Sequence, residues 1–246
     1  MARWAELLSP TDPVGILPAM KMTEAMGTLG ALGTAQNRKV YARHGVRPGA
    51  FGVSYANLGK LVKTIGVDHD LALRLWASGN HDACILATMV AAPDAFRAAE
   101  LRAWARELDS YVITRAFADL VARSAHAHSL TAKWIAARDE WSSACGWFVI
   151  ARLAKRSAEV ELERFGDLLN TLERTIHGAP NRTRYAMNDA LIALGGLAQL
   201  RTQALATAKR IGIVTVDHGE TGCRTPDAHA SIEGLRTRSG QRRRKA

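Results

Sequence analysis

Three observations predict an all-α chain: its composition, a regular alternation of helical segments with short breakers, and the near absence of strand patterning. The 246 residues are rich in Ala, Leu and Arg and poor in β-branched runs, which favours helix on propensity grounds. Hydrophobic residues make up 48%, so the chain reads as globular, and its length suits one domain with a substantial core. Only Ile211 to Val216 reads as extended, and that run is too short and isolated to found a sheet.

From Met22 the pattern predicts helices at about 22–36, 54–65, 69–78, 80–92, 94–106, 109–123, 128–139, 141–156, 158–176, 181–194 and 196–211. Arg47-Pro48-Gly49 breaks the chain after the first of these, and Gly66 ends the second. Ser78-Gly79-Asn80, Ala92-Pro93-Asp94 and Gly178-Ala179-Pro180-Asn181 supply later breaks. Ser54, Asp68, Asn80, Asp94 and Asn181 each stand where a side-chain oxygen accepts the first backbone N–H groups of the following helix. Helices of similar length, joined by short turns into pairs of roughly 35 to 45 residues, fit an α-solenoid of HEAT type. A globular bundle fits the same periodicity, because no strict internal repeat is visible. The expected organisation is an N-terminal extension (1–21), one helical domain (22–233) and a disordered basic tail (234–246).

Net charge is +10, and six basic residues with no acid lie between Arg236 and Lys245. Such a run is a solvated tail or a polycationic arm that adds sequence-independent affinity for a phosphate backbone. No long apolar or aromatic residue in it suits insertion into a bilayer, and no apolar stretch approaches the roughly 20 residues that span one. Residues 1–20 contain Asp12 and three prolines and no apolar run of the kind a signal peptide has. Cys84, Cys145 and Cys223 are odd in number and widely spaced, as expected of two core thiols and one loop thiol in a reducing compartment. A cytoplasmic, nucleoid-associated monomer without membrane contact is the expectation.

Two segments carry a resemblance. The first runs from Tyr41 to Pro93, with its His44-Gly45-Val46 turn, the Phe51-Gly52-Val53 approach to a helix, and Leu75-Trp76 followed by Gly79-Asn80-His81. The second is RYAMNDALIALG from Arg184 to Gly195, followed by VDHGETGCRTPDA at 216–228. Together they resemble the AlkD-like DNA alkylation repair family over about residues 22–230. The resemblance implies a C-shaped helical solenoid gripping double-stranded, alkylated DNA in a basic concave groove. It also implies release of cationic N3- and N7-alkylated purines without a cofactor or metal. A cationic base is already a good leaving group. What remains is to stabilise a sugar cation with a carboxylate and electron-rich aromatic faces, and to hold the backbone.

The family's central motif is an aromatic followed four residues later by Asp, on one helical face. The best register places Tyr111 at the aromatic and Arg115 at the acid, which inverts the charge wanted beside a sugar cation. A backbone-contacting arginine of the family falls near Ala144, and a further aromatic near Asp189. Asp119, two turns after Tyr111, and Asp189 are the substitute acids; each is equally read as a solvated carboxylate. Asp109 is read as an acid or a helix cap.

Trp134, Trp141 and Trp147 cluster on neighbouring helices. At least two read as core, and Trp141 is the one expected to face a sugar or base. Trp76 reads as core. Arg152, Lys155, Arg156, Arg182 and Arg184 flank helix ends and are expected, with Arg115, to contact phosphates. The Asp217 to Cys223 run holds carboxylate, imidazole and thiol, but Gly219 and Gly222 make it read as a structured loop packed on the last repeats rather than a metal site. Three functions stay open: an alkylpurine DNA glycosylase using Tyr111 with Asp119 or Asp189, a non-catalytic relative recognising damaged or branched DNA, and, ranked last, a solenoid scaffold for protein partners.

Overall fold

The computed structural model describes residues 20–156 and 162–243, all helices and connecting segments, with no strand among them. In order these are α1 (Met22–Leu32), α2 (Ala35–Arg43), α3 (Tyr55–Ile65), α4 (His69–Ala77), α5 (His81–Val90), α6 (Ala98–Arg106) and α7 (Tyr111–Val121). There follow α8 (Ala127–Trp134), α9 (Glu140–Arg156), α10 (Leu162–Thr175), α11 (Asn181–Gly195), α12 (Arg201–Ile211) and α13 (Ala228–Arg243). None is long and apolar enough to cross a membrane.

The odd-numbered helices from α3 onward form one row, each packed on the next: α3 on α5, α5 on α7, α7 on α9, α9 on α11 and α11 on α13. The even-numbered helices back this row as a second layer, α4 on α5, α8 on α9 and α12 on α11. Two layers of paired helices therefore enclose one continuous core. Trp76 stacks on Trp104 at 4.0 Å between ring centroids, nearly parallel, and donates its indole N–H to Glu107 at 2.6 Å. Phe96 and Phe117 flank the pair, and Trp134 packs on Phe117. Trp134 and Trp147 are core residues, as is Trp76. Cys84 and Cys145 are buried and Cys223 is exposed; burial pushes the Cys84 thiol up to about 12, so it stays protonated.

Ser54, Asp68 and Asn80 cap α3, α4 and α5, accepting from Asn57, Leu71 and both Asp82 and Ala83. Other expectations are corrected. The first helix is two, because a Cβ at Gly33 would lie 2.1 Å from the Phe51 carbonyl oxygen, so the chain breaks there to admit the 50–53 segment. Thr34 then caps α2 through Asn37. Asp94 lies in a 3-10 turn, Pro93–Ala95, and α6 starts only at Ala98, with Glu100 accepting from the Arg97 N–H at 2.8 Å. Asp109 is a partner of Arg47 at 3.0 Å and not a cap. Asn181 does not cap α11; its side chain holds Asp217 instead.

The last helix departs most from expectation. Backbone placed in a disordered tail is helical up to Arg243, in a helix that starts at Ala228 with Asp227 accepting from the Ala230 N–H. Ile232 is fully buried over Gly195, where a Cβ would approach it to 2.5 Å, and Arg201 donates to the Ile232 carbonyl at 2.6 Å. Nearly all of the N-terminal extension, and residues 244–246, lie outside the described residues.

Close helix contact also rests on Gly146. A Cβ there would lie 2.8 Å from the Ile135 nitrogen and 3.0 Å from the Trp134 carbonyl carbon, both backbone atoms of the α8 end. Gly146→Ala gains about 1 kcal/mol of helix propensity but forces α8 and α9 apart, which costs roughly 1–3 kcal/mol. A net fall in Tm is expected by thermal denaturation. A raised Tm would show that the two helices separate freely.

Candidate functional site

One face of the inner row gathers most of the polar residues singled out from sequence. Tyr111 opens α7, Arg115 follows one turn later and Asp119 one turn after that, the spacing that puts all three on one stripe. Arg182, Tyr185 and Asp189 repeat this on α11, and Arg152 stands between them on α9. Packing of α7 on α9 and α9 on α11 brings the three stripes together.

Arg115 Nη1 donates to the Tyr111 hydroxyl at 2.7 Å. Burial works against the guanidinium charge, but Tyr111, Asp189 and that hydrogen bond more than offset it and hold Arg115 cationic. Tyr111 meets Tyr185 edge to face at 5.3 Å and Phe148 at 5.9 Å, and Arg182 lies over its ring at 5.7 Å. Burial, followed by Tyr111, keeps the Tyr185 phenol protonated by raising its pKa. Both substitute acids are engaged by Arg152, whose Nε pairs with Asp119 and whose Nη1 lies 3.6 Å from Asp189. The Asp119 side chain remains 52% exposed, against 26% for Asp189.

Sequence reasoning missed four contributors. Tyr185 lies one turn before Asp189 on the same face; its spacing from Arg182 and Asp189 was the available signal. Tyr55, at the start of α3, is 37% exposed yet feels Tyr41, Asp119, Arg115 and Tyr111, so it stands at the edge of the same site. His218 packs its ring edge to face on Tyr185 at 5.4 Å and lies 3.4 Å from Arg182 Nη1. Glu140 accepts from the Arg182 backbone N–H at 2.5 Å and fixes the start of α11. The sequence marked His218 only as part of the 217–223 loop, and the fold brings both it and Glu140 to the site.

Other expected residues lie apart. Trp141 is half-buried against the core two turns before Phe148, outside the ring cluster. Lys155 and Arg156 are exposed at the end of α9, beyond Arg152, and Arg156 sits near Arg123. Arg184 points about 200° around α11 from Arg182, with its Nε enclosed, so it does not join the site. Ala144 is fully buried, and the arginine that α9 brings to the site is Arg152, about two turns later. Both ring nitrogens of His218 are engaged, by Arg182 and by Thr225 at 3.0 Å, which leaves no free imidazole ligand in the 217–223 run.

Comparison with known proteins places this geometry. A profile described as DNA alkylation repair enzyme matches residues 25–210. An uncharacterised protein of Listeria innocua is 28% identical over 218 residues, covering 85% of this chain and 95% of its own. A second, from Listeria monocytogenes, is 28% identical over 219 residues, with 86% and 95% covered. A solved structure, from a family described as related to the HEAT-like repeat DNA glycosylases with affinity for branched DNA structures, superposes with a TM-score of 0.83 at 29% identity. The match covers 89% of this chain and 95% of that one, so the two-layered stack is a HEAT-like superhelix.

Proposed function

Because the chain belongs to the DNA alkylation repair enzyme family, we propose that it binds DNA on the α7–α9–α11 face, prefers branched duplexes, and does not accelerate release of cationic alkylpurines. One observation carries this reading: a guanidinium, Arg115, and not a carboxylate bonds the Tyr111 hydroxyl, while Asp119 pairs with Arg152 and Asp189 lies 3.6 Å from it. An oxocarbenium-like sugar is stabilised by negative charge aimed at it, and a carboxylate paired with a guanidinium has most of its field cancelled. Arg115 and Arg182 have no ion pair with a carboxylate among the described residues, which suits phosphate and opposes a cationic transition state. The preference for branches is taken from the structural neighbour's described affinity.

The test measures binding and chemistry side by side. Fluorescence anisotropy compares a four-way junction with a linear duplex of equal length, while base release is followed from duplexes carrying N7-methylguanine or N3-methyladenine. Tighter binding to the junction and release at the spontaneous rate are expected. A second reading, a glycosylase in which Asp119 steadies the sugar and Tyr111 lines the lesion, rests on the 52% exposure of Asp119. Release well above background that disappears in Asp119→Asn would establish it, and loss in Asp189→Asn instead would assign the role to Asp189.

A further inference from the structure

Residues 212–227, between α12 and α13, are fastened to α11 at two points. Asn181 bonds the Asp217 backbone in both directions, at 2.7 Å each, and Asn188 donates to the Pro226 carbonyl at 2.9 Å. The same segment crosses to the beginning of the chain. A Cβ on Gly219 would make ordinary contact, 3.5 Å, with the carbonyl oxygen of Arg43, which ends α2. His44 follows as the C-terminal cap of that helix. The first and last repeats thus meet beside Tyr111 and Tyr185.

Three basic residues from three elements lie there: Arg182 on α11 bonds His218 of the crossing segment, and His44 follows Arg43, whose carbonyl the Gly219 position meets. Arg182 has no carboxylate paired with its guanidinium among the described residues; it lies over the Tyr111 ring and donates to His218 Nδ1. Accepting at Nδ1 leaves the His218 proton on Nε2, directed at Thr225 Oγ1, so the imidazole is neutral. His44 faces Arg43 of its own helix and Arg182 of α11. His218 faces Arg182, His44 and the edge of Tyr185, with Asp217 as the acid of its own segment. One Asp217 oxygen accepts from the Gly219 N–H, and Glu140 is bonded to the Arg182 backbone.

We propose that His44, Arg182 and His218 form a phosphate subsite where the first and last repeats meet, and that a DNA phosphate enters it with uptake of protons by the two imidazoles. Arg182 supplies a cation lying over the Tyr111 ring; protonation of His218 at Nδ1 breaks the bond it accepts from Arg182, and both groups then donate to the anion, as does a protonated His44. The inference rests on the DNA-binding reading above. In the free protein, burial and then Arg182 hold both histidines below their ordinary pKa. A phosphate beside them favours the imidazolium form, so the complex binds more protons than the free protein. Affinity must therefore rise as pH falls through their range.

The experiment titrates a four-way DNA junction with 5′-hydroxyl ends against the full chain at pH 7.5 and pH 5.5, at constant ionic strength. Melting curves first establish that the variants are folded at both pH values. The wild type is expected to bind about tenfold tighter at pH 5.5, the effect of about one pKa unit in one linked group. The His44→Gln, His218→Gln double variant is expected to change by less than about twofold, and Arg182→Gln to bind more weakly at both pH values. A repeat with 5′-phosphorylated ends separates two sources of the anion. A pH response already present with hydroxyl ends assigns an internal backbone phosphate, and one that needs the terminal group assigns a strand end. An equal response in the double variant, or none in the wild type with either junction, overturns the subsite. Absence of junction binding at any pH overturns the DNA-binding reading, and the subsite with it.

Discussion

Asp82→Ala is expected to lower the stability of the protein by at least about 3 kcal/mol, read from chemical denaturation, with the loss concentrated in α1 and α2. Asp82 is fully buried, and its carboxylate accepts from three consecutive backbone N–H groups, Phe51 at 2.6 Å, Gly52 at 3.1 Å and Val53 at 2.8 Å. Removing it strands those donors, each at about 1–3 kcal/mol. The same short segment ties the first pair of helices to the rest. Thr34 donates to the Gly52 carbonyl at 3.1 Å, Arg38 to the Phe51 carbonyl at 3.1 Å, and Tyr41 to the Val53 carbonyl at 2.5 Å. Burial, with Asp82 next, pushes the Tyr41 hydroxyl up to about 12, so it remains a donor at any working pH. Hydrogen exchange should show α1 and α2 opening while α7 to α11 stay protected. A loss below about 1 kcal/mol would mean that the segment finds other acceptors.

Arg115→Ala is expected to weaken junction binding by about 10- to 100-fold, the range for losing one well-placed charged contact. Arg115 is held by Tyr111 at 2.7 Å and flanked by Tyr185 and Asp189, so its head group is positioned before any ligand arrives. Its removal also takes from the face a guanidinium that has no ion pair with a carboxylate among the described residues. Wild-type and variant affinities measured across a salt series should differ in slope by about one released counterion. Affinity within about twofold of the wild type would show that Arg115 serves only to position Tyr111, and would move the binding face elsewhere.

The sequence by itself determined the helical class and most helix positions, while its periodicity fitted a solenoid and a globular bundle alike. These follow from local causes: propensity, 3.6-residue periodicity, and caps such as Ser54, Asp68 and Asn80 that act within one turn. It also placed Tyr111 and Arg115 on one stripe, because residues four apart on a helix must share a face. Tertiary structure alone decided the rest. The break at Gly33 exists because a segment about 18 residues later packs on it. The last helix forms from a weakly patterned, arginine-rich stretch because Ile232 has Gly195 to dock on and Arg201 to bind its carbonyl. Asp119 and Asp189, free carboxylates on paper, are both paired because α9 lays Arg152 between α7 and α11. His44 and His218, at opposite ends of the chain, meet only because the 212–227 segment crosses back to α2. Long-range approach of this kind has no local sequence period, so it becomes legible only when the superhelix has closed.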